Sequence, residues 1–122
     1  MLKLFSKTDR PIINKVETLI GANTSFSGHL RCDGNIRIDG VCEEGIIETL
    51  GNVVVTPNAR VAAKIIAHHV SVAGEVSGAI QAHGFLEIIG SGQVSGNVQV
   101  ANFHKDETAT LSGELEMTTN HS

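Results

Sequence analysis

The sequence predicts an all-β chain wound as a parallel β-helix, a β-solenoid of about six coils. Three observations predict it: strand-like segments recur about every seventeen residues, apolar or small residues alternate with polar ones inside each segment, and Val, Ile and Gly dominate the apolar vocabulary. The 122 residues include 13 Gly and four Phe but neither Tyr nor Trp. An interior built from such residues is narrow and made of β-branched side chains suited to strands.

The repeat carries most of the weight. Segments begin at Ile36 (IRIDG), Val53 (VVVTP), Val70 (VSVAG), Leu86 (LEIIG) and Phe103, in steps of 17, 17, 16 and 17 residues, and an earlier copy begins near Thr18. A unit of this length holds two or three short strands and cannot bury its apolar face alone, whereas stacked copies bury a continuous one. Each coil adds one inter-strand spacing of roughly 4.8 Å, so six coils make a rod on the order of 30 Å long. A helical reading fails because apolar residues do not recur at i, i+3, i+4 and Gly is too frequent for helix interiors.

Taken in order, the coils share a large-small-large triplet. The coil from Thr18 carries Phe26, Gly28 and Leu30; the coils from Val53, Leu86 and Phe103 place Val61-Ala63-Ile65, Val94-Gly96-Val98 and Leu111-Gly113-Leu115 at the same offsets. The coils from Ile36 and Val70 carry Cys42-Glu44-Ile46 and Val76-Gly78-Ile80 two residues earlier. Two residues are one pleat, so the shift keeps every inward side chain inward. Small centres suit a narrow interior. Glu44 departs from the pattern, since a buried unpaired carboxylate is costly: either this coil bulges or its register is displaced by one residue. Lys105 falls at an inward offset of the last coil, where an open end lets its ammonium reach water. The β-helix is expected over residues 18–117, between an N-terminal tail, residues 1–17, and a polar C-terminal tail, residues 118–122.

Composition removes several function classes. The net charge is −4 and the nine basic residues are scattered, so nucleic acid is not an expected partner. No apolar run approaches the roughly 18–20 residues that span a bilayer. Cys32 and Cys42 form no CxxC pair and no secretory leader is readable, which suits a reduced, cytoplasmic setting. Both sit on inward offsets and read as core thiols.

No constellation supports catalysis. His68, His69 and His83 would approach one another at adjacent corners, yet no carboxylate or Cys completes a ligand set of familiar spacing, so they read as surface histidines rather than a metal site. The glycines of Gly90-Ser91-Gly92 with Gly96 lead into a strand pattern and not a helix, which makes them a turn, not a phosphate loop. With no nucleophile paired to a base, no catalytic residue, cofactor or metal is expected.

Two features point to association. A stack of coils is open at both ends unless capped, and no capping helix is readable. The first coil offers Ile20, Phe26 and Leu30 and the last offers Phe103, Leu111, Leu115 and Met117, which together form the expected polymerisation interface. Separately, Leu2, Lys3, Leu4, Phe5 and Lys7 combine apolar and basic side chains as interfacial membrane anchors do. One copy anchors weakly; many copies on a filament anchor firmly.

The blocks IRIDG, NVVVTPNARVAAKI, VSVAGEVSGAIQA and FLEIIGSGQVSGNVQV, in this order, resemble the bactofilins, a family of bacterial polymer-forming cytoskeletal proteins. The resemblance spans about residues 18–117. It implies a right-handed β-helix between flexible tails that assembles with itself, without nucleotide, into filaments lying under the inner membrane and scaffolding cell-shape or cell-wall proteins. The rival reading is a left-handed β-helix acyltransferase of hexapeptide repeats, glimpsed in Ile20-Gly21-Ala22-Asn23-Thr24-Ser25 and Ile88-Ile89-Gly90-Ser91-Gly92-Gln93. Those hexads do not persist through the intervening coils.

Overall fold

The computed structural model describes residues 16–118. Every regular element among them is a strand: β1 (Thr18–Ile20), β2 (Ser25–Cys32), β3 (Ile36–Ile38), β4 (Val41–Thr49), β5 (Asn52–Val55), β6 (Arg60–Val61), β7 (Lys64–Val72), β8 (Glu75–Ser77), β9 (Ile80–Ile88), β10 (Gln93–Lys105) and β11 (Thr110–Met117). The strands pair in the order β1-β3-β5-β7-β9-β10-β8-β6-β4-β2, with β11 added to β10 and a further β7–β4 pairing. All pairings are parallel. Parallel neighbours that lie one repeat apart in sequence are what stacked coils produce, and the result is a β-solenoid of about six turns.

Period-two alternation places the same offset of each coil at the same height of the wall, so inward side chains stack in columns. Thr18, Ile36, Val53, Val70, Leu86 and Phe103, the expected segment starts, are register partners in succession. Ile20, Ile38, Val55, Val72, Ile88 and Lys105 form the next inward column. Phe26, Cys42, Val61 and Val76 stack on the facing wall, and Val76 is buried as its offset requires. Ile47, Ile65, Ile80 and Val98 follow, all fully buried. Dry packing of Ile and Val along these columns is the main source of stability, at roughly 1.5–3 kcal/mol for each fully buried side chain.

The departure at Glu44 is a bulge. Cys42 pairs with Phe26, but Glu44 pairs with Ser27, Gly45 with Gly28 and Ile47 with Leu30, which leaves Glu43 as the extra residue. Both carboxylates stay exposed, and Ile47, not Ile46, enters the core. The bulge removes the cost of burying a charge at the price of one unpaired residue. Lys105 stacks on Ile88 and stays exposed, its Nζ donating to the Ala109 carbonyl of the following turn at 3.0 Å.

The small triplet centres have another cause than a narrow interior. Gly28, Gly45, Gly78, Gly96 and Gly113 all hold φ between +117° and +142°, a region that side chains with a Cβ rarely adopt. A Cβ on Gly96 would stand 2.0 Å from the Gly78 carbonyl oxygen, and one on Gly113 2.1 Å from that of Gly96. At Gly45, Gly78, Gly96 and Gly113 the backbone of the preceding coil passes too closely for a side chain, whereas Ala63 takes its place in the column without a positive φ.

Candidate polymerisation surfaces at the ends of the solenoid

A coil inside the stack is hydrogen-bonded on both sides; the terminal coils are not. Among the described residues, β1 pairs only with β3 and β2 only with β4, while β11 pairs only with β10. Among the described residues, each end therefore presents a row of strand N–H and C=O groups together with the cross-section of the apolar columns.

At the first end, Phe26 stacks on Cys42 and Leu30 on Ile47, and both pack half-exposed against the core. Ile20 differs from its expected role: it is only 6% exposed, packed within the core cluster over Ile38, and offers little surface to a partner. At the last end, Phe103 covers Leu86, Leu111 covers Val94, Leu115 covers Val98 and Met117 covers Val100. Leu115 and Met117 are 40% and 48% exposed. Except at Ile20, burial falls away along these columns toward the ends, and apolar side chains stand where a capped solenoid would be polar.

The last turn is pinned by polar contacts. Gly90 N–H donates to the Asp106 carboxylate at 2.9 Å, and this bond, joined by His104 at 3.3 Å, holds the Asp106 carboxyl below the usual range. The Gly90-Ser91 turn that it braces joins β9 to β10, as the glycine spacing predicted. At the same corner, nearer the first end, Asp39 is held low by the Thr56 hydroxyl at 2.7 Å and by Arg37 at 3.1 Å. The Gly90–Asp106 and Thr56–Asp39 bonds tie neighbouring coils together at this corner.

The remaining candidates are placed as follows. Cys42 is buried and burial pushes its thiol up to about 11, while Cys32 is half-buried and accepts from the Gly34 N–H at 3.3 Å; both are free thiols. His68 and His69 stack at 4.3 Å, and His69 meets the Phe85 ring edge-on at 5.4 Å. Among the described residues no three His, Cys, Asp or Glu side chains gather closely enough to hold a metal ion. No helix among them is long and apolar enough to cross a membrane. Leu2, Lys3, Leu4, Phe5 and Lys7 lie outside the described residues.

One feature escaped the sequence reading: the outward offset after each segment start carries Leu19 and Val54, exposed by 58% and 40%, where the other coils carry Arg37, Ser71, Glu87 and His104. An apolar residue at an offset that is otherwise polar was the available signal.

Comparison with known proteins agrees with this architecture. A search of curated proteins gives no match. Among solved structures, a bactofilin of Thermus thermophilus, seen by cryo-EM in double helical filaments, superposes with a TM-score of 0.75 at 24% identity, covering 83% of this chain and 99% of that one. At that identity the likeness concerns the fold. The bactofilin family model, described as polymer-forming cytoskeletal, matches residues 18–116, which is most of the chain and the whole of the solenoid apart from its last strand residue. This chain belongs to the bactofilin family of polymer-forming cytoskeletal proteins.

Proposed function

We propose that the chain is a non-catalytic cytoskeletal subunit that polymerises end to end, without nucleotide, through the terminal coils of its solenoid. The observation that carries this reading is the pair of ends that no described strand covers, with Phe26 and Leu30 at one and Phe103, Leu111, Leu115 and Met117 at the other. Stacking two ends buries these groups and satisfies the open strand edges, and apolar burial with strand pairing drives association by itself. Because every subunit has two such ends, the contact propagates into a filament. Ile20 contributes from beneath, by supporting the first coil.

In this reading residues 18–117 are the polymerising unit and residues 1–17 and 118–122 flank it. Leu2, Lys3, Leu4, Phe5 and Lys7 bring the filament to the cytoplasmic face of the inner membrane, where repeated weak contacts add along the polymer. The assembled filament then serves as a scaffold for cell-shape or cell-wall proteins. Electron microscopy of the purified chain in nucleotide-free buffer tests the core of the proposal. Filaments are expected; discrete trimers would point instead to the acyltransferase class of β-helix.

A further inference from the structure

We propose that filaments of this chain pair side by side, a second copy packing antiparallel on the outer wall that carries Arg37, Val54, Ser71 and Glu87; the proposal rests on the end-to-end reading above. These four are register partners in successive coils, and Leu19 and His104 extend the same outward column to the first and last coils. From the first end to the last, the column reads Leu, Arg, Val, Ser, Glu, His. Reversed against itself, it sets Arg37 opposite Glu87, Val54 opposite Ser71 and Leu19 opposite His104.

Charge complementarity selects this occupant and its direction. Two copies meet face to face on the wall about a two-fold axis that runs either along the strands or along the solenoid. With the axis along the strands, the solenoids run antiparallel and the column faces itself reversed. An Arg37–Glu87 pair then forms on either side of the axis, and no like charges are opposed in the column. At the centre the two Val54 side chains, 40% exposed in the lone chain, become diagonal neighbours and leave water together. With the axis along the solenoid, the copies run parallel and the column faces the wall's other outward column, in which Asn52, His69 and Phe85 are register partners. Val54 then meets Asn52, and Glu87 meets the Phe85 ring, which strips water from a carboxylate and supplies no cation. Both charged groups are already oriented for the antiparallel pairing. Arg37 Nε donates to Asp39 at 3.1 Å and the Ser71 hydroxyl donates to Glu87 at 3.2 Å, which leaves the guanidinium its other donors and the carboxylate its other oxygen.

The size of the wall says when pairing occurs. Stacked strands make it on the order of 30 Å by 10 Å, roughly 300 Å² per copy, against about 800 Å² per partner in a stable interface. A lone pair of subunits falls short. Subunits joined in line add their walls, so pairing follows polymerisation and is not its cause.

Electron microscopy of the full chain tests this by filament width, with circular dichroism to follow the fold. The parent is expected to form filaments two solenoids wide. Arg37→Glu and Glu87→Arg each set like charges against each other on both sides of the axis. Each is expected to lose the paired filaments and keep single ones. The double variant exchanges the charges and is expected to pair as the parent does; since it carries both substitutions, its recovery also shows that neither unfolds the chain. Single variants that pair like the parent, or a double variant that stays unpaired, overturn the proposal. Parent filaments only one solenoid wide overturn it too while leaving the end-to-end reading in place, and a parent that forms no filaments overturns both.

Discussion

Leu115 stacks on Val98 one coil below, and among the described residues no strand pairs with β11 on its other side. That relationship makes Leu115 half core and, in the proposed filament, half interface. Leu115→Arg, like Phe103→Arg on the same end, can turn its charge to water in a lone subunit yet places it in the junction of a stacked pair. We expect either variant to keep the β-rich circular dichroism of the parent while sedimenting as small oligomers. Long filaments from both variants would shift polymerisation from the ends to the lateral faces.

Val76 sits in the interior column between Val61 and Val94 and is 1% exposed. Val76→Asp buries a carboxylate with no partner, a change of several kcal/mol against a total stability of roughly 5–15 kcal/mol. Soluble β-rich protein is expected to be lost. A melting temperature within a few degrees of the parent would contradict the column assignment.

The glycine column separates strain from collision. Gly28 and Gly96 share a positive φ, at +127° and +134°, but a Cβ on Gly28 meets nothing within 4 Å whereas one on Gly96 meets the Gly78 carbonyl. Gly28→Ala therefore carries conformational strain of about 1–3 kcal/mol, and Gly96→Ala carries that and a backbone clash. Thermal melts followed by circular dichroism are expected to rank Gly96→Ala below Gly28→Ala; equal melts would remove the close approach as a constraint.

Cys42 links stability to alkaline pH. Its thiol is raised from 9.0 to about 11 by burial, so the folded state holds its proton longer than the unfolded chain. The stabilisation is fully present below pH 9 and is lost as pH rises through about 11. Cys42→Val removes the ionisable group at similar volume and is expected to flatten the decline in urea stability between pH 9 and 11. An unchanged slope would assign the alkaline loss to other groups.

The N-terminal segment is testable by itself. Deleting residues 1–10 removes Leu2, Lys3, Leu4, Phe5 and Lys7 while sparing every described strand, so polymers should persist and co-sedimentation with anionic liposomes should fall. Equal pelleting of both chains with liposomes would end the membrane role.

The columns were legible because period two is written directly in residues such as Ile36, Val53, Val70 and Leu86, and a repeat read once is read six times. The bulge was legible only as a conflict. Glu44 could not stay in the core, yet the sequence alone does not say whether Glu43 or Glu44 is extra, and only the Gly45–Gly28 pairing settles that Ile47 points inward. Gly96 and its relatives were found for the wrong reason: size is visible in a sequence, whereas the distance to the next backbone is not. Ile20 and Val54 were missed in opposite directions, since burial at an end and exposure on a wall both depend on which neighbours the winding supplies. The ends themselves were readable as apolar, because both terminal coils keep the same inward residues as the interior ones.

A helix of near-identical turns has a hazard that globular folds lack: slipped by one whole turn, Val would replace Ile down every column at little cost. The two irregularities in this wall work against it. The extra residue at Glu43-Glu44 belongs to the second turn, and another register shift falls between Ala82 and Phe85, around His83-Gly84. Each fits only where its neighbours are spaced to receive it, so a chain advanced by one turn would seat both against regular strands. They index the winding like notches on a key, and fix which turn is first and which is last. In a molecule whose two ends are the proposed contact surfaces and differ from each other, that count decides whether the right residues reach the ends at all.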